Sequence, residues 1–171
     1  MKKILLILLC FNLIIFTGCT SSKKSQIPAP KPPAESDTAH LSVEDKGIVV
    51  SVSKEVRNMT QMIKPDKSGF DVVSVLVKIE NNSTTKVMVS PDFVTLKTDD
   101  GKEYKYAAAL TAGSPLGKSA FSKRPIPPEY RGGGLLLFEI VAGTKAESLI
   151  YKDDSGHFVT LKFQTGTKSN V

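Results

Sequence analysis

The chain has 171 residues, of which 23 are lysine or arginine and 17 are aspartate or glutamate. This small positive excess is dispersed along the chain, so it does not indicate a nucleic-acid partner. The length leaves room for one domain of ordinary size, and because tryptophan is absent, valine, isoleucine and leucine must form most of its core.

The N-terminus has the pattern of a secretion signal. Lys2 and Lys3 precede a thirteen-residue apolar run, residues 4–16, which Asn12 interrupts. A helix that spans a membrane permanently needs roughly 20 apolar residues, and this run is shorter. The sequence therefore predicts a cleaved signal peptide over residues 1–18.

Phe16 ends this run, and the small residues Thr17 and Gly18 and then Cys19 follow it. The arrangement resembles the lipobox of bacterial lipoproteins, although Phe16 stands where leucine is commonest. The resemblance implies cleavage between Gly18 and Cys19 and palmitate-type acyl chains on Cys19. Cys10 leaves with the signal peptide, so the mature chain has no second cysteine for an internal disulfide. The alternative is a plain secreted protein with a free cysteine.

Residues 19–41 are predicted to form a lipidated cysteine followed by a flexible tether. Four of the ten prolines fall within residues 28–33, where they disfavour helix and sheet and favour an extended conformation. At about 3.1 Å per residue, such a tether holds a domain up to roughly 60 Å from a membrane. Pro30 and Pro33 also have the spacing of a proline-rich recognition peptide, which is the alternative to a spacer.

From residue 42 onward the apolar residues alternate, which predicts strands and no long amphipathic helix. Acidic turns ending in Gly101 and Gly156 indicate hairpins, because glycine tolerates the positive φ that such turns need. Seven or eight strands at this spacing favour an immunoglobulin-like antiparallel β-sandwich over residues 42–171, with a short flexible C-terminal tail. The predicted strands cover residues 47–56, 70–79, 87–90, 93–97, 103–107, 135–141, 148–151 and 158–163.

Two parts of the pattern are irregular. Phe93 and Leu96 are three residues apart where alternation requires two, which indicates a bulge or a change of register. Residues 108–131 contain two glycines and four prolines, so no regular element is expected there.

Three structural motifs lie within residues 47–163. One is a strand that ends in Ile79-Glu80-Asn81-Asn82-Ser83, another is residues 91–96 ahead of the turn at 99–104, and the last is the glycine-led strand 132–140. Together they resemble the immunoglobulin-like, telokin-like extracellular bacterial lipoproteins of unknown function. The resemblance implies a sandwich displayed outside the cell, often from a lipid anchor, with no catalytic residues to carry over.

The segment 118–131 is the predicted binding surface. It combines basic and aromatic residues, and loops carried by a rigid sandwich often bind ligands. The alternative is a solvated connection whose apolar residues pack onto the sheet. The candidate binding residues are Lys118, Phe121, Lys123, Arg124, Tyr130 and Arg131.

No catalytic constellation is found in the sequence. The two histidines are His40, in the predicted tether, and His157, which is expected to be a solvated turn residue. Residues 113–119 fall one residue short of a phosphate-binding loop. The acidic turns at 99–100 and 153–154 are alternatives for calcium, and the methionines at 59, 62 and 88 for copper, although neither set fits a known ligand pattern.

The predicted function is that of a non-catalytic binding or envelope-assembly lipoprotein without a cofactor. Its expected partners are the membrane, through the acyl chains on Cys19, and an envelope component or protein of unknown identity, but no nucleic acid. It is expected outside the cytoplasm on a bacterial cell membrane or outer membrane. The alternatives are an envelope-polymer-modifying enzyme, with its site within residues 108–131, and a calcium- or copper-binding lipoprotein. A paired carboxylate in a concave part of that loop would favour the enzyme.

Overall fold

Two antiparallel sheets pack face to face in the part of the chain that the structure describes, residues 40–163 of a computed structural model. The predicted signal peptide, Cys19, nearly all of the predicted tether and the C-terminal tail lie outside these residues. The strands are β1 (His40–Asp45), β2 (Ile48–Ser53), β3 (Arg57–Asn58), β4 (Phe70–Asn81), β5 (Val87–Val89), β6 (Val94–Thr98), β7 (Glu103–Lys105), β8 (Arg124–Ile126), β9 (Arg131–Val141), β10 (Ala146–Lys152) and β11 (Phe158–Lys162). A short helix, α1 (Ala108–Gly113), and two 3₁₀ turns, Pro91–Phe93 and Gly117–Ser119, complete the described elements.

The first sheet has five strands and is built around β4. One edge of β4 pairs with β2 and β3, the other pairs with β9, and β1 lies beyond β2. The β4–β9 pair runs from Phe70 opposite Val141 to Glu80 opposite Arg131. Because β-branched residues alternate along β4, one of its faces supplies a continuous row of buried valines to the core.

The second sheet has four strands in the order β11-β10-β6-β7, and β5 and β8 form a separate two-stranded ribbon. Leucines and valines from both sheets fill the space between them, with Phe138 and Tyr151 as the largest fully buried side chains. The ring of Phe93 meets that of Tyr151 edge to face, with centroids 6.2 Å apart. The predicted all-β antiparallel sandwich is confirmed, and the telokin-like immunoglobulin comparison stays a prediction.

The irregular spacing of Phe93 and Leu96 has a local cause. Phe93 ends the 3₁₀ turn Pro91–Phe93, and the Oγ of Ser90 accepts a hydrogen bond from the backbone N–H of Asp92 at the start of that turn. The strand β6 therefore begins only at Val94, and Val94 and Leu96 share its buried face. The register shift lies in the neighbouring strand β10, between Ala146 and Ser148.

Three predictions about the elements are wrong in detail. The predicted tether ends too late, because His40 and Leu41 already pair with Ser53 and Val52. Residues 108–131 do form regular elements, because leucines of this segment pack against the first sheet and override the local breakers. The described residues contain eleven strands instead of seven or eight, since β1 begins within the predicted tether and the sequence pattern does not reveal strands as short as β3 and β8.

Candidate functional site

The segment between β7 and β8 covers part of the outer face of the five-stranded sheet. Leu110 and Leu116 pack against a small second core formed by Ile63, Val72 and Leu137. The backbone N–H of Ala107 donates to the carbonyl of Leu137 over 2.7 Å, which fixes the start of the segment. The outer face of β4 and β9 is therefore apolar at this end, which explains why these strands carry hydrophobic residues on both faces.

The end of this cover is held by close backbone contact with β9. Phe121 donates its N–H to the carbonyl of Leu135 over 3.0 Å, and Ala120 bridges to Leu135. Gly134 allows this approach, because a Cβ atom there would lie 2.6 Å from the backbone nitrogen of Phe121. Its φ of +154° also lies in a region that favours glycine. The end of the segment is therefore fixed on β9, at Gly134 and Leu135.

An open groove of about 590 Å³ lies beside Leu116 and Leu135, and we call it the outer groove. Its volume falls within the range of about 300–1,000 Å³ that is typical of ligand sites. Its floor is apolar and its rim is polar and charged. The lining residues are His40, Ser53, Lys54, Glu55, Arg57, Met59, Ser74, Leu76, Leu116 and Leu135.

Strand register assembles the outer groove from distant parts of the sequence. His40 lies opposite Ser53, and Leu76 of β4 lies opposite Leu135 of β9. Val52 opposite Val77 places Ser53 beside Leu76, so one row of outward-facing residues crosses four strands. Leu76 is 36% exposed in this row. The sequence signal for the groove is Leu76 itself, an apolar residue on the outward face of a strand whose other face is the core.

The rim of the outer groove carries more basic than acidic groups. Lys54 and Arg57 are its lysine and arginine, and Glu55 is the one carboxylate among the lining residues that the structure describes. Within residues 40–163, neither Lys54 nor Arg57 forms an ion pair. Ser53 donates its hydroxyl to the carbonyl of Glu55 over 3.0 Å, which holds the bend between β2 and β3. The site can therefore offer two cations and an apolar surface to a ligand.

The six binding residues predicted from the sequence do not line the outer groove. Phe121 is only 4% exposed and belongs to the main core, so its place in the predicted surface is wrong: the bond to Leu135 draws its side chain inward. Tyr130 is half-buried, and its carbonyl accepts the N–H of Asn81. The four exposed cations of the predicted surface are Lys118, Lys123, Arg124 and Arg131.

The exposed cations of the predicted surface belong to different elements. Lys118 lies in the 3₁₀ turn after α1, whereas Arg124 lies in β8 and Arg131 begins β9. Arg124 extends over Gly132, with its Nε 3.4 Å from the position that a Cβ atom would take there. The segment 113–119 leads into extended backbone at Ala120, so it lacks the helix that a phosphate-binding loop requires.

The acidic turn between β6 and β7 uses its carboxylates to hold the hairpin. Asp100 accepts hydrogen bonds from the hydroxyl of Thr98 at 2.5 Å and from the backbone N–H of Lys102 at 3.3 Å, and its other oxygen lies 2.9 Å from the ammonium of Lys102. The Thr98 hydroxyl, followed by Lys102, lowers the pKa of Asp100 to about 2. Asp99 accepts the N–H of Lys145 from the next hairpin.

Asp153 holds the hairpin between β10 and β11 in a buried polar cluster. One carboxylate oxygen accepts the backbone N–H groups of Ser155 and His157. The other lies 2.7 Å from Nδ1 of His157 and accepts the hydroxyl of Tyr151 at 3.2 Å. Burial, followed by the charge of Asp153, raises the pKa of Tyr151. His157 is only 8% exposed, so its predicted solvation is wrong, because Asp153 draws the ring inward.

These turns do not assemble a cation site in the part of the chain that the structure describes. Among residues 40–163, no group of three or more histidine, cysteine, aspartate or glutamate side chains is placed to hold a metal ion. The methionines are also separated, since Met59 lines the outer groove while Met62 and Met88 are exposed elsewhere. Within the same range, no helix is long and apolar enough to cross a membrane.

The fold and the site define an antiparallel β-sandwich with a ligand-sized groove on one outer face. Residues 40–158 match the family described as Domain of unknown function (DUF4352). This match covers more than half of the chain, so the protein belongs to that family. No curated protein matches the chain in sequence.

Two solved structures share the sandwich. The secreted protein MPT63 of Mycobacterium tuberculosis is 16% identical with a TM-score of 0.52, over 72% of this chain and 91% of MPT63. YcdA of Bacillus subtilis, described as a candidate lipoprotein, is 20% identical with a TM-score of 0.54, over 72% of this chain and 38% of YcdA. At these identities the likeness shows the fold alone.

Proposed function

We propose that this protein is a bacterial lipoprotein, anchored outside the cytoplasm through acyl chains on Cys19, whose sandwich is a non-catalytic binding module. Support for the location comes from the order of signal pattern, Cys19, proline-rich segment and domain. The descriptions of MPT63 as secreted and of YcdA as a candidate lipoprotein point to the same side of the membrane.

The observation that carries the binding function is the composition of the outer groove. Its floor joins Leu76, Leu116 and Leu135, and its rim carries Lys54 and Arg57. Apolar concave sites with a few convergent polar groups are the usual form of ligand sites. The groove therefore has the surface that recognition needs.

The same groove lacks the paired carboxylates that glycoside hydrolysis of an envelope polysaccharide usually needs. Such reactions usually use a pair of acidic groups, one as acid and one as base or nucleophile. Glu55 is the one carboxylate among the described lining residues, and Glu129 is the one acidic residue within positions 108–131. Binding without chemistry is thus the function that the described residues support best.

The position of the groove suits a module that is held at a membrane. The described chain begins at His40, which lies on the rim of the outer groove. The polypeptide that leads back to Cys19 thus joins the domain beside its binding surface. Ligands of the outer groove are expected to be envelope components or exported chains within reach of the membrane.

The anchoring half of the proposal is tested by replacing Cys19 with serine. In cells fed an alkyne-tagged palmitate, the wild-type protein should take up the label and sediment with membranes. Cys19→Ser should lose the label and enter the soluble extracytoplasmic fraction. Cys10→Ser is the matched control, because Cys10 leaves with the signal peptide and its loss should change neither result. A labelled or fully membrane-bound Cys19→Ser protein would contradict the anchor.

A further inference from the structure

We propose that the outer groove binds an extended, acidic peptide segment, which adds to the edge of β3 as a further strand and places an apolar side chain on Leu76. This inference rests on the proposed function, because it names the ligand class of the same binding module. It is carried by the sheet edge, the groove floor and the charge of the rim, taken together.

The sheet edge lies directly beside the outer groove. Arg57 and Asn58 of β3 pair with β4 along one side. β1 covers the neighbouring strand β2 only as far as His40 opposite Ser53. None of the strands described over residues 40–163 therefore lies along the other side of residues 54–58. Open edges offer backbone N–H and C=O groups in a row, and extended peptides bind by pairing with them.

The floor of the groove provides the side-chain pocket that this mode of binding requires. Successive side chains of an extended peptide point to opposite faces of the sheet, so every second one would face the floor. Leu76 is partly exposed there, with Leu135 opposite it on β9 and Leu116 above. Burying an aliphatic side chain in such a site favours binding, because it removes apolar surface from water. The pocket thus selects an apolar residue at one position of the peptide.

The rim charge selects the peptide residues two positions before and after that apolar residue, because these share its face of the strand. Lys54 and Arg57 lie in the segment that forms the open edge, and neither forms an ion pair within the described residues. An arginine can hold a carboxylate through two parallel hydrogen bonds. Among the described lining residues, Glu55 is the one acidic group that opposes them. An acidic peptide is therefore favoured over a basic one.

Peptide titrations test the inference on the mature chain, residues 19–171 with Cys19→Ser. The probes are two fluorescein-labelled heptapeptides, Thr-Glu-Thr-Leu-Thr-Glu-Thr and its counterpart with lysine for each glutamate, and binding is followed by fluorescence anisotropy. In an added strand the leucine and both glutamates of this sequence point to the same face. The acidic peptide should bind at least about tenfold more tightly than the basic one. Arg57→Glu should invert this preference, whereas Lys123→Glu, a matched charge reversal away from the groove, should leave it unchanged. Equal responses of the two variants would overturn the inference.

N-methylated peptides separate strand addition from simple side-chain contact. Two versions of the acidic peptide carry N-methyl groups on complementary sets of alternate residues. If the peptide pairs with β3, only the set whose N–H groups face the sheet edge should lose binding, by about tenfold or more. Equal binding of both versions would overturn pairing. Leu76→Asp should weaken the unmodified peptide to a similar degree, with an unchanged unfolding midpoint to show that the sandwich is intact.

Other occupants give distinguishable results. Sodium laurate that binds in a Leu76-dependent manner while neither peptide binds would overturn the peptide inference but leave the binding module standing. A chain that starts at residue 40 and binds the acidic peptide more than about tenfold better than the mature chain would show that the protein's own N-terminal segment competes for the groove. That result would also overturn the inference, because the occupant would then be internal.

Discussion

The two sheets of the sandwich are stabilised by different kinds of contact. In the four-stranded sheet, both hairpins are closed by aspartates, Asp100 and Asp153, whose main partners lie within four residues along the chain. In the five-stranded sheet, the outer face depends on contacts between distant segments, such as Gly134 with Phe121 and Leu76 with Leu135.

The local contacts of the four-stranded sheet stabilise the domain, whereas the long-range contacts of the five-stranded sheet also shape its candidate binding surface. The aspartate turns satisfy polar groups within their own hairpins. The distant contacts of the other sheet create a boundary between covered and open surface, and the outer groove lies at that boundary. The substitutions below test this contrast, in order of decreasing effect.

Gly134→Ala should have the largest effect. The new Cβ would lie 2.7 Å from the carbonyl carbon of Ala120 and closer still to the nitrogen of Phe121, so the cover segment must move away from β9. We expect a loss of more than about 4 kcal/mol in the free energy of unfolding, measured by urea denaturation, because strain and a backbone clash add together. Gly113→Ala is the control, since no atom lies within 4 Å of its added Cβ. If Gly134→Ala were as stable as the control, the close contact between this segment and β9 would not determine where the covered surface ends.

Phe121→Ala should cause the second largest loss of stability. It tests whether the predicted binding loop is needed for the fold. Removing a ring that is buried in the main core should cost about 3–4 kcal/mol of unfolding free energy. Lys123→Ala, two residues away and exposed, should change it by less than about 0.5 kcal/mol. A small loss of stability in Phe121→Ala together with loss of ligand binding would instead assign this segment to recognition.

Asp153→Ala tests the local contacts of the other sheet. It removes a buried acceptor and leaves the Tyr151 hydroxyl and the His157 ring without it, so a loss of about 2–3 kcal/mol is expected. Asp154→Ala is the adjacent control, because its side chain is exposed, and it should stay near wild type. Peptide binding at the outer groove should be unchanged in both variants. A change in affinity of Asp153→Ala at intact fold would show that the two sheets are coupled.

Asp100 should give the smallest effect, visible only as a dependence on pH. Its pKa is about 2 in the folded protein, below its usual value of 3.8. A lowered folded pKa means that the ionised group supports stability above about pH 4 and that this support is lost as the pH falls toward 2. The urea midpoint of Asp100→Asn should therefore fall less than that of wild type between pH 5 and pH 2.

Thr98→Val should reduce the same pH dependence, because the Thr98 hydroxyl is the largest cause of the lowered pKa of Asp100. Thr98 is fully buried, and valine has a similar shape, so the comparison is made within each protein between the two pH values. An unaltered dependence in both Asp100→Asn and Thr98→Val would show that this turn does not contribute to acid sensitivity.

The same contrast explains how much of the molecule the sequence predicts. The acidic turns can be predicted from the sequence, because aspartate and glycine at fixed positions satisfy the geometry of a hairpin within a few residues. Alternating valines likewise predict β4 and its core face. The segment 108–131 is mispredicted because tertiary contacts of Leu110 and Leu116 determine its structure, and no local pattern contains them.

The candidate site is harder to predict for the same physical reason. Ser53, Leu76 and Leu135 come together only through the pairing register of the strands, which a single sequence does not specify. Phe121 illustrates the opposite error, because an aromatic residue among lysines resembles a binding residue until its burial is known. The sequence feature that indicates the groove is the presence of two apolar residues, Leu76 and Leu135, on the outward faces of their strands.

The most direct test of the account compares the outer groove with the predicted loop in one binding measurement. The acidic heptapeptide is titrated into two variants of the mature chain, Arg57→Glu and the triple variant with alanine at Lys123, Arg124 and Arg131. We predict that the triple variant binds within about twofold of wild type and that Arg57→Glu loses about tenfold in affinity while gaining affinity for the basic heptapeptide. Loss of binding in the triple variant with wild-type affinity in Arg57→Glu would contradict the account and place recognition on the loop.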